Sequence, residues 1–277
     1  MSLTAPILDE VAQSVGSRWG WPDGGAQGLR AWLGLPDPQR PSEPHDLVSA
    51  DHDLPSRRAV RSVVIASDYR SGSTVLAEGL TGAGGYGIPV EYFQAGAMER
   101  KFVRFADTSP DGYLRHVMTR RTSASGVFGT KVFWPESPII ERLPDPVIIS
   151  LSREDVAAQA VSTWTALTTN IWRSSRSQRS GDAPYDRRRL VALAGMHAHH
   201  AACWRRALAG VPVIDVTYEE LSRDPVATME SIVAALGDRG MPAEGSVPQP
   251  RLARQASQHS QQLASRLTDD ILERRWE

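Results

Sequence analysis

The sequence predicts a three-layer α/β/α fold built around a mainly parallel central sheet. Three short segments rich in β-branched residues, at positions 63–65, 147–149 and 211–216, are the candidate strands. The first two are continuous apolar runs, which are typical of strands buried on both faces of a parallel sheet. Each of these two runs is followed by a polar turn and then by residues compatible with a helix. The chain is therefore expected to repeat a strand, loop and helix unit.

The length fits one medium-sized α/β domain with an additional segment, and two small domains are the weaker option. The 277 residues give ample chain to bury a core. We expect residues 1–60 to form an N-terminal arm packed on the domain, and residues 61–277 to form the domain itself. Trp19, Trp21 and Trp32 would bury considerable apolar area, which disfavours a disordered arm. Plain surface packing is the commoner role for such an arm; a dimer contact or a wall of a binding pocket are the alternatives.

The composition excludes several classes of function. Lys and Arg number 31 against 32 Asp and Glu, so an extended nucleic-acid-binding surface is not indicated. The single cysteine, Cys203, cannot form a disulfide within the chain. No apolar run approaches the length of a membrane span, and the N-terminus lacks the charged and apolar segments of a secretory signal. A soluble, cytoplasmic protein is therefore expected.

The turn after the first predicted strand has the composition of an anion-binding loop. Residues 70–74 read Arg-Ser-Gly-Ser-Thr and lead directly into the helix-compatible residues 75–80. Such a loop points backbone N–H groups and the positive end of a helix dipole at one spot. Three hydroxyl groups and the fixed charge of Arg70 add to this potential. The loop is therefore predicted to bind a phosphate or a sulfate.

The same loop lacks the lysine of nucleotide-hydrolysing P-loops. When Gly72 is aligned with the second glycine of G-x-x-x-x-G-K-[ST], Ser67 stands at the first glycine and Ser73 at the lysine. Magnesium-assisted phosphoryl transfer is disfavoured without that lysine and without an obvious acidic partner for the metal. An atypical P-loop nucleotide kinase stays open as an alternative if another residue, such as Lys131, supplies the charge.

Three ordered motifs resemble the Stf0 branch of sulfotransferases that use 3′-phosphoadenosine-5′-phosphosulfate (PAPS). The R-S-G-S-T loop at 70–74 resembles the phosphosulfate loop of that family. The residues G-I-P-V-E-Y-F at 87–93 resemble its G-x-P-x-E-Y-F motif, and G-V-F-G-T-K at 126–131 resembles its G-V-F-G-x-K strand. The resemblance covers about residues 61–277. It implies a P-loop-like sulfotransferase fold and an enzyme that moves the sulfuryl group of PAPS to an acceptor hydroxyl, with no metal required.

The resemblance also assigns the donor-binding residues. The 5′-phosphate of PAPS would be held by the loop, whose members are Arg70, Ser71, Gly72, Ser73 and Thr74. Arg153, at the end of the second apolar strand, and Ser162, on the following helix, would hold the 3′-phosphate and thus also bind the product PAP. Open α/β sheets bind ligands at the carboxyl ends of their strands, so both anion sites would lie on one side of the sheet. The alternative for Arg153 is a cap or an ion pair with Glu154 or Asp155.

Glu91 is the candidate general base. An attacking hydroxyl must lose its proton, and a carboxylate within hydrogen-bond reach is the simplest acceptor for it. Glu91 occupies the position at which the resembled family places its proposed base, although an arbitrary glutamate is more often exposed or ion-paired. Arg70 is the second catalytic candidate, stabilising charge on the transferred group. Lys131 could assist it, and an exposed or paired lysine is an equally weighted alternative.

Two residues beside the loop depart from the resembled family. Tyr69 stands where the family usually has proline, and Asp68 puts a negative charge next to an anion-binding loop. If Asp68 points away from the bound anion the effect on donor binding is small, and if it points inward donor use is in doubt.

Several further residues could have either a functional or a purely structural role. Tyr218 could stack near the adenine or belong to the core, and Arg254 could fold back on the nucleotide. The arginine-rich stretch 173–189 could cover the acceptor or be a solvated loop. His197 and His200 share a helix face, but no third ligand stands at a fixed offset, so a metal site is disfavoured.

The acceptor is expected to be a small molecule with a hydroxyl group, such as a sugar, a glycolipid or a compound of secondary metabolism. A homodimer is the expectation that the family resemblance gives. A third reading is a non-catalytic protein that binds PAP or PAPS, which would bind the donor without turnover.

Overall fold

The central sheet is parallel throughout. The computed structural model describes residues 3–22, 25–36, 50–94, 109–172, 183–249 and 257–275. Strands β1 (Arg61–Ser67), β2 (Val127–Phe133), β3 (Pro146–Ser152) and β4 (Val213–Thr217) form one sheet in the order β2-β1-β3-β4, and each neighbouring pair is parallel. This confirms the predicted α/β class with a parallel central sheet.

Helices cover both faces of this sheet. They are α1 (Ala5–Trp19), α2 (Gly25–Trp32), α3 (Ser73–Ala83), α4 (Pro110–Arg121), α5 (Val156–Thr169), α6 (Arg187–Ala207), α7 (Tyr218–Arg223), α8 (Pro225–Gly237) and α9 (Gln258–Leu272), with 3₁₀ helices at Ala50–His52 and Trp134–Arg142. Within the described ranges, no helix combines the length and the apolar character needed to cross a bilayer.

Burial on both faces explains the continuous apolar runs of the central strands. Val63 and Ile65 of β1 pack in one core cluster with residues of α3 and α8. Val64 and Ala66 point to the other face, where they pack with residues of α4 and with Trp204 of α6. A strand with a core on each side needs no polar alternation, as its sequence indicates.

The N-terminal helices pack against the outer helices of the domain. Val11 and Val15 of α1 are buried in a cluster with residues of α5, α6 and α9. The Trp21 ring stacks on the His199 ring of α6 with centroids 4.1 Å apart. The Trp19 and Trp32 rings meet edge to face at 5.6 Å. The described part of the arm therefore buries the apolar area that its tryptophans supply.

A short segment before α4 docks directly on β2 and fixes the position of Glu91. Val90 forms a parallel bridge with Thr130, and the Lys131 amide donates to the Val90 carbonyl at 3.0 Å. The approach is close because β2 has a glycine there: a Cβ added at Gly129 would lie 2.2 Å from the carbonyl oxygen of Tyr86. Gly129 therefore allows the segment that carries Glu91 to lie against the sheet.

Gly129→Ala is expected to displace this segment. The added methyl group overlaps a backbone atom that cannot move alone, so we expect a loss of about 2 kcal/mol or more in the free energy of unfolding. Gly237→Ala is the matched control, because a Cβ there meets nothing within 4 Å, and alanine favours the helix by up to about 1 kcal/mol. Urea denaturation measures both. A wild-type midpoint for Gly129→Ala would contradict this account of the docking.

Candidate active site

The loop between β1 and α3 presents a helix N-terminus at the carboxyl edge of the sheet. Gly72 caps α3 in the left-handed conformation, with φ at 90°, and its carbonyl accepts from the Val75 amide at 2.9 Å. The amides of Ser73 and Thr74, the first two residues of α3, precede this bond and have no acceptor inside the helix, so they are available to an anion. A Cβ at Gly72 would lie 2.9 Å from the Tyr218 ring. The loop therefore requires glycine for its conformation and for its close packing.

Arg70, Arg153 and Ser162 meet beside this helix start. Arg70 Nε donates to Ser162 Oγ at 2.9 Å, and Arg153 Nη1 donates to the Arg70 carbonyl at 2.9 Å. The Arg153 guanidinium also lies over the Tyr218 ring, 4.2 Å from its centroid. Arg70 itself has a positive φ of 60°, a conformation that costs a non-glycine residue about 1 kcal/mol or more. The backbone conformation in which the Arg70 guanidinium contacts Ser162 is therefore strained.

The two guanidinium groups repel each other. Burial, followed by the charge of Arg153, lowers the pKa of Arg70 to about 10, while Tyr218 and Glu91 act in the opposite direction. A bound anion between the two arginines would reverse this repulsion. The electrostatics of this edge therefore favour a phosphate or sulfate.

Glu91 and Lys131 form an ion pair on the other side of the loop. Lys131 Nζ lies 2.6 Å from Glu91 Oε1 and donates to Thr74 Oγ1 at 3.4 Å. The other carboxylate oxygen of Glu91 accepts from Gln94 Nε2 at 3.2 Å. The Lys131 side chain is 1% exposed and that of Glu91 is 28% exposed. A carboxylate that solvent or a substrate can reach therefore lies next to the loop.

The serines of the loop differ in their roles. Ser71 Oγ donates to the Asp68 carbonyl at 2.7 Å, so this hydroxyl stabilises the loop itself. Ser73 is buried at the first position of α3, and Thr74 is partly exposed beside Lys131. The structure thus brings all predicted donor and base residues to one edge, and it commits the Ser71 hydroxyl to a bond within the loop.

Comparison with known proteins identifies the family of this chain. The Stf0 sulphotransferase family model matches residues 62–145 and 135–270. The chain belongs to the Stf0 sulfotransferase family. It is similar to the trehalose 2-sulfotransferase of Mycobacterium tuberculosis, with 28% identity over 257 residues that cover 76% of this chain and 95% of the relative. The protein of the same name from Mycolicibacterium smegmatis is 28% identical over 255 residues, covering 75% and 94%. The resemblance seen in the sequence motifs is confirmed.

The Asp68 carboxylate of this Stf0 sulfotransferase points toward α6. Its Oδ2 lies 2.7 Å from His197 Nδ1, its Oδ1 lies 3.3 Å from His200 Nδ1, and Oδ1 accepts from the Tyr69 amide at 2.7 Å. Burial alone would raise the pKa of Asp68, but the charges and hydrogen bonds of His200 and His197 outweigh it and hold that pKa well below its ordinary value. The two histidines are therefore partners of Asp68. Among the described residues, no group of three or more His, Cys, Asp or Glu could hold a metal ion.

Tyr69 ties the loop to two helices. Its hydroxyl accepts from the Gly25 amide of α2 at 2.6 Å, and its carbonyl accepts from Gln159 Nε2 of α5 at 2.7 Å. Its ring packs against Phe133 at the end of β2, with centroids 4.5 Å apart. Tyr69 therefore fixes the loop by contacts on three sides, one of them from the N-terminal arm.

Sequence reasoning did not identify Glu136. It lies in the 3₁₀ helix that follows β2, and burial raises its pKa to about 7, with the negative charges of Glu91 and Asp68 adding to the rise. The backbone N–H groups of Glu136 and Phe133 offset part of it. The available signal was an acidic residue three positions beyond β2, the strand that carries Lys131.

Two predicted regions lie wholly or partly outside the described residues. Arg254 is one of them, and so is the arginine-rich stretch up to residue 182. The end of that stretch is described. Asp186 is the N-cap of α6, and its carboxylate accepts a hydrogen bond from the Arg189 amide at 3.1 Å. That part of the stretch is the first turn of a helix.

We expect Asp68→Asn to destabilise the fold without adding bulk. The folded-state pKa of Asp68 is below its ordinary value of 3.8, so the ionised carboxylate stabilises the fold at pH values above that, and the contribution is lost as the pH falls through the folded-state pKa. The variant should therefore lose about 2 kcal/mol or more at pH 7, and the difference from wild type should shrink below pH 3.8.

Urea denaturation across this pH range measures the effect, and Asp215→Asn on β4 is the control. Asp215 is exposed, so its substitution should change the free energy of unfolding by no more than about 0.5 kcal/mol. Equal stability of Asp68→Asn and wild type at pH 7 would show that the two histidines do not stabilise the loop through this carboxylate.

Proposed function

We propose that this sulfotransferase moves the sulfuryl group of PAPS to a hydroxyl of a small-molecule acceptor and releases PAP. The observation that carries the proposal is the meeting of Arg70, Arg153 and Ser162 at the start of α3, next to the Glu91–Lys131 pair. Guanidinium groups and helix amides suit the phosphates of a nucleotide donor. A partly exposed carboxylate suits the acceptance of a proton.

The residues present fit the two phosphate positions of PAPS. The amides of Ser73 and Thr74, together with Arg70, would hold the 5′-phosphate with its sulfuryl group. Arg153 and Ser162 would hold the 3′-phosphate, because a guanidinium can donate two parallel bonds to one phosphate. Ser162 Oγ accepts from Arg70, so its own proton is available to a phosphate oxygen. Tyr218, which packs on the Arg153 guanidinium, would lie near the adenine.

Glu91 would accept the proton of the acceptor. As the acceptor oxygen attacks sulfur, the bond from sulfur to the 5′-phosphate oxygen breaks and PAP leaves with the electron pair. The neighbouring Lys131 ammonium favours the carboxylate form that a base requires. Because the same ammonium lies beside Thr74, it can also offset negative charge on the sulfuryl oxygens, with Arg70 acting from the opposite side.

The similar proteins suggest which acceptor to test first. Two similar proteins are named trehalose 2-sulfotransferase, so trehalose is the first acceptor to test, followed by glycolipids and hydroxylated secondary metabolites.

Lys131 beside Thr74 is the feature that would serve the alternative nucleotide kinase. ATP with magnesium is therefore the competing ligand. The homodimer and the cytoplasmic location stay predictions.

Arg153→Ala is expected to weaken PAP binding by roughly tenfold to a hundredfold, because it removes charge-assisted hydrogen bonds to the 3′-phosphate. Arg153→Lys should give an intermediate loss, since lysine keeps the charge but not the planar fork. Arg223→Ala, at an exposed position on α7, is the control and should bind PAP as wild type does. Calorimetric titration with PAP in the absence of magnesium measures all three.

The same titrations compare donors. Wild type should bind PAP more tightly than ATP with magnesium. A preference for ATP with magnesium, or unchanged PAP affinity in Arg153→Ala, would contradict the donor assignment.

A further inference from the structure

Three successive residues of the anion-binding loop are each connected to helix α5. Arg70 Nε donates to Ser162 Oγ at 2.9 Å, and the Tyr69 carbonyl accepts from Gln159 Nε2 at 2.7 Å. The third connection, from Asp68, passes through a side chain of α6. Gln159 and Ser162 are three positions apart on α5, so they lie on one face of that helix. This face of α5 is therefore attached to the loop.

His197 of α6 bridges Asp68 and Thr163. One ring nitrogen of His197, Nδ1, lies 2.7 Å from Asp68 Oδ2, and the other, Nε2, lies 2.9 Å from Thr163 Oγ1. Thr163 Oγ1 in turn donates to the Gln159 carbonyl at 3.0 Å, one turn earlier on α5. His197 is 1% exposed and Thr163 is 0% exposed. Water cannot replace a partner at such positions without a rearrangement, so losing one of these bonds leaves a buried polar atom unsatisfied.

These hydrogen bonds form a closed circuit that begins and ends at the loop. Gln159 Nε2 returns the circuit to the Tyr69 carbonyl, and the Tyr69 amide donates to Asp68 Oδ1 at 2.7 Å. The loop, α5 and α6 are thus joined by one buried network. A buried network whose members are bonded favours one relative arrangement of the elements that it joins. The network therefore defines the position of α5 relative to the loop.

The position of α5 sets the distance between the two proposed phosphate sites. Ser162 is the neighbour of Thr163 on α5 and would hold the 3′-phosphate together with Arg153, whereas the loop would hold the 5′-phosphate. A ligand that carries both phosphates gains from both sites only if their spacing matches its own. A shift of α5 would therefore weaken the binding of a bisphosphate more than the binding of a monophosphate.

We propose that Thr163 and His197 are positioning residues that make the site select a nucleoside 3′,5′-bisphosphate over a nucleoside 5′-monophosphate. Both side chains are buried, so they act on the ligand through Ser162 and through the loop. This inference rests on the proposed function, because it takes the loop and Ser162 as the two phosphate sites.

The test compares PAP with 5′-AMP by calorimetric titration in the absence of magnesium. Thr163→Val removes the hydroxyl at similar volume. It should weaken PAP binding by roughly tenfold and leave the affinity for 5′-AMP within about twofold of wild type. His197→Asn should show the same selective loss, because its amide nitrogen stands near the position of Nδ1 and can keep the bond to Asp68, while the bond to Thr163 is lost.

Two further variants are controls. Thr165 lies on the same helix and donates to the Val161 carbonyl at 2.9 Å, outside the network. Thr165→Val should therefore bind both nucleotides as wild type does. Thr163→Ser keeps the hydroxyl and should retain the wild-type preference for PAP.

The remaining outcomes contradict one of two claims. Unchanged PAP affinity in Thr163→Val overturns the proposal, as does an equal loss of affinity for PAP and 5′-AMP, which a general loss of folded protein would produce. A loss in Thr163→Ser as large as in Thr163→Val also overturns it, and so does a wild-type protein that binds 5′-AMP as tightly as PAP. Absence of PAP binding to wild type instead refutes the proposed function itself.

Discussion

The site depends on two guanidinium groups that the fold holds together against their mutual repulsion. Burial and the charge of Arg153 both lower the pKa of Arg70, so the free protein carries an electrostatic cost that a bound anion would remove. Two side-chain hydrogen bonds hold the backbone of the loop in place despite this cost. Arg153 donates to the Arg70 carbonyl, and Gln159 donates to the Tyr69 carbonyl. A site organised in this way needs little rearrangement when an anion binds, which is the condition for effective charge stabilisation.

Asp68 shows how a charge of the wrong sign is accommodated next to such a site. Its carboxylate is turned into the protein, toward His197 and His200, and these partners outweigh the cost of its burial. The chain continues from there to Tyr69, whose hydroxyl contacts the N-terminal helix α2 through Gly25. The two departures from the family pattern are thus both part of the framework that positions the loop.

The parts of the site that adjacency along the chain determines could be predicted from the sequence. The apolar run, the small-residue turn and the helix after it define the loop, and the sequence motifs identify Glu91. The contact between Asp68 and His197 could not be predicted, because it joins residues 129 positions apart and depends on how α6 packs under β1. Glu136 was missed for a different reason: its 3₁₀ helix carries no periodic signal, and its significance comes from burial and from neighbouring charges.

The measurement that tests the account most directly is transfer of labelled sulfate from PAPS to trehalose and to a panel of other hydroxyl acceptors. The account predicts acceptor-dependent release of PAP by wild type. Glu91→Gln should lower kcat by about a hundredfold to ten-thousandfold and keep wild-type PAP affinity. Glu230→Gln, exposed on α8, should behave as wild type. Wild-type turnover by Glu91→Gln would refute Glu91 as the base, and PAP binding without transfer to any acceptor would identify a nucleotide-binding protein in place of an enzyme.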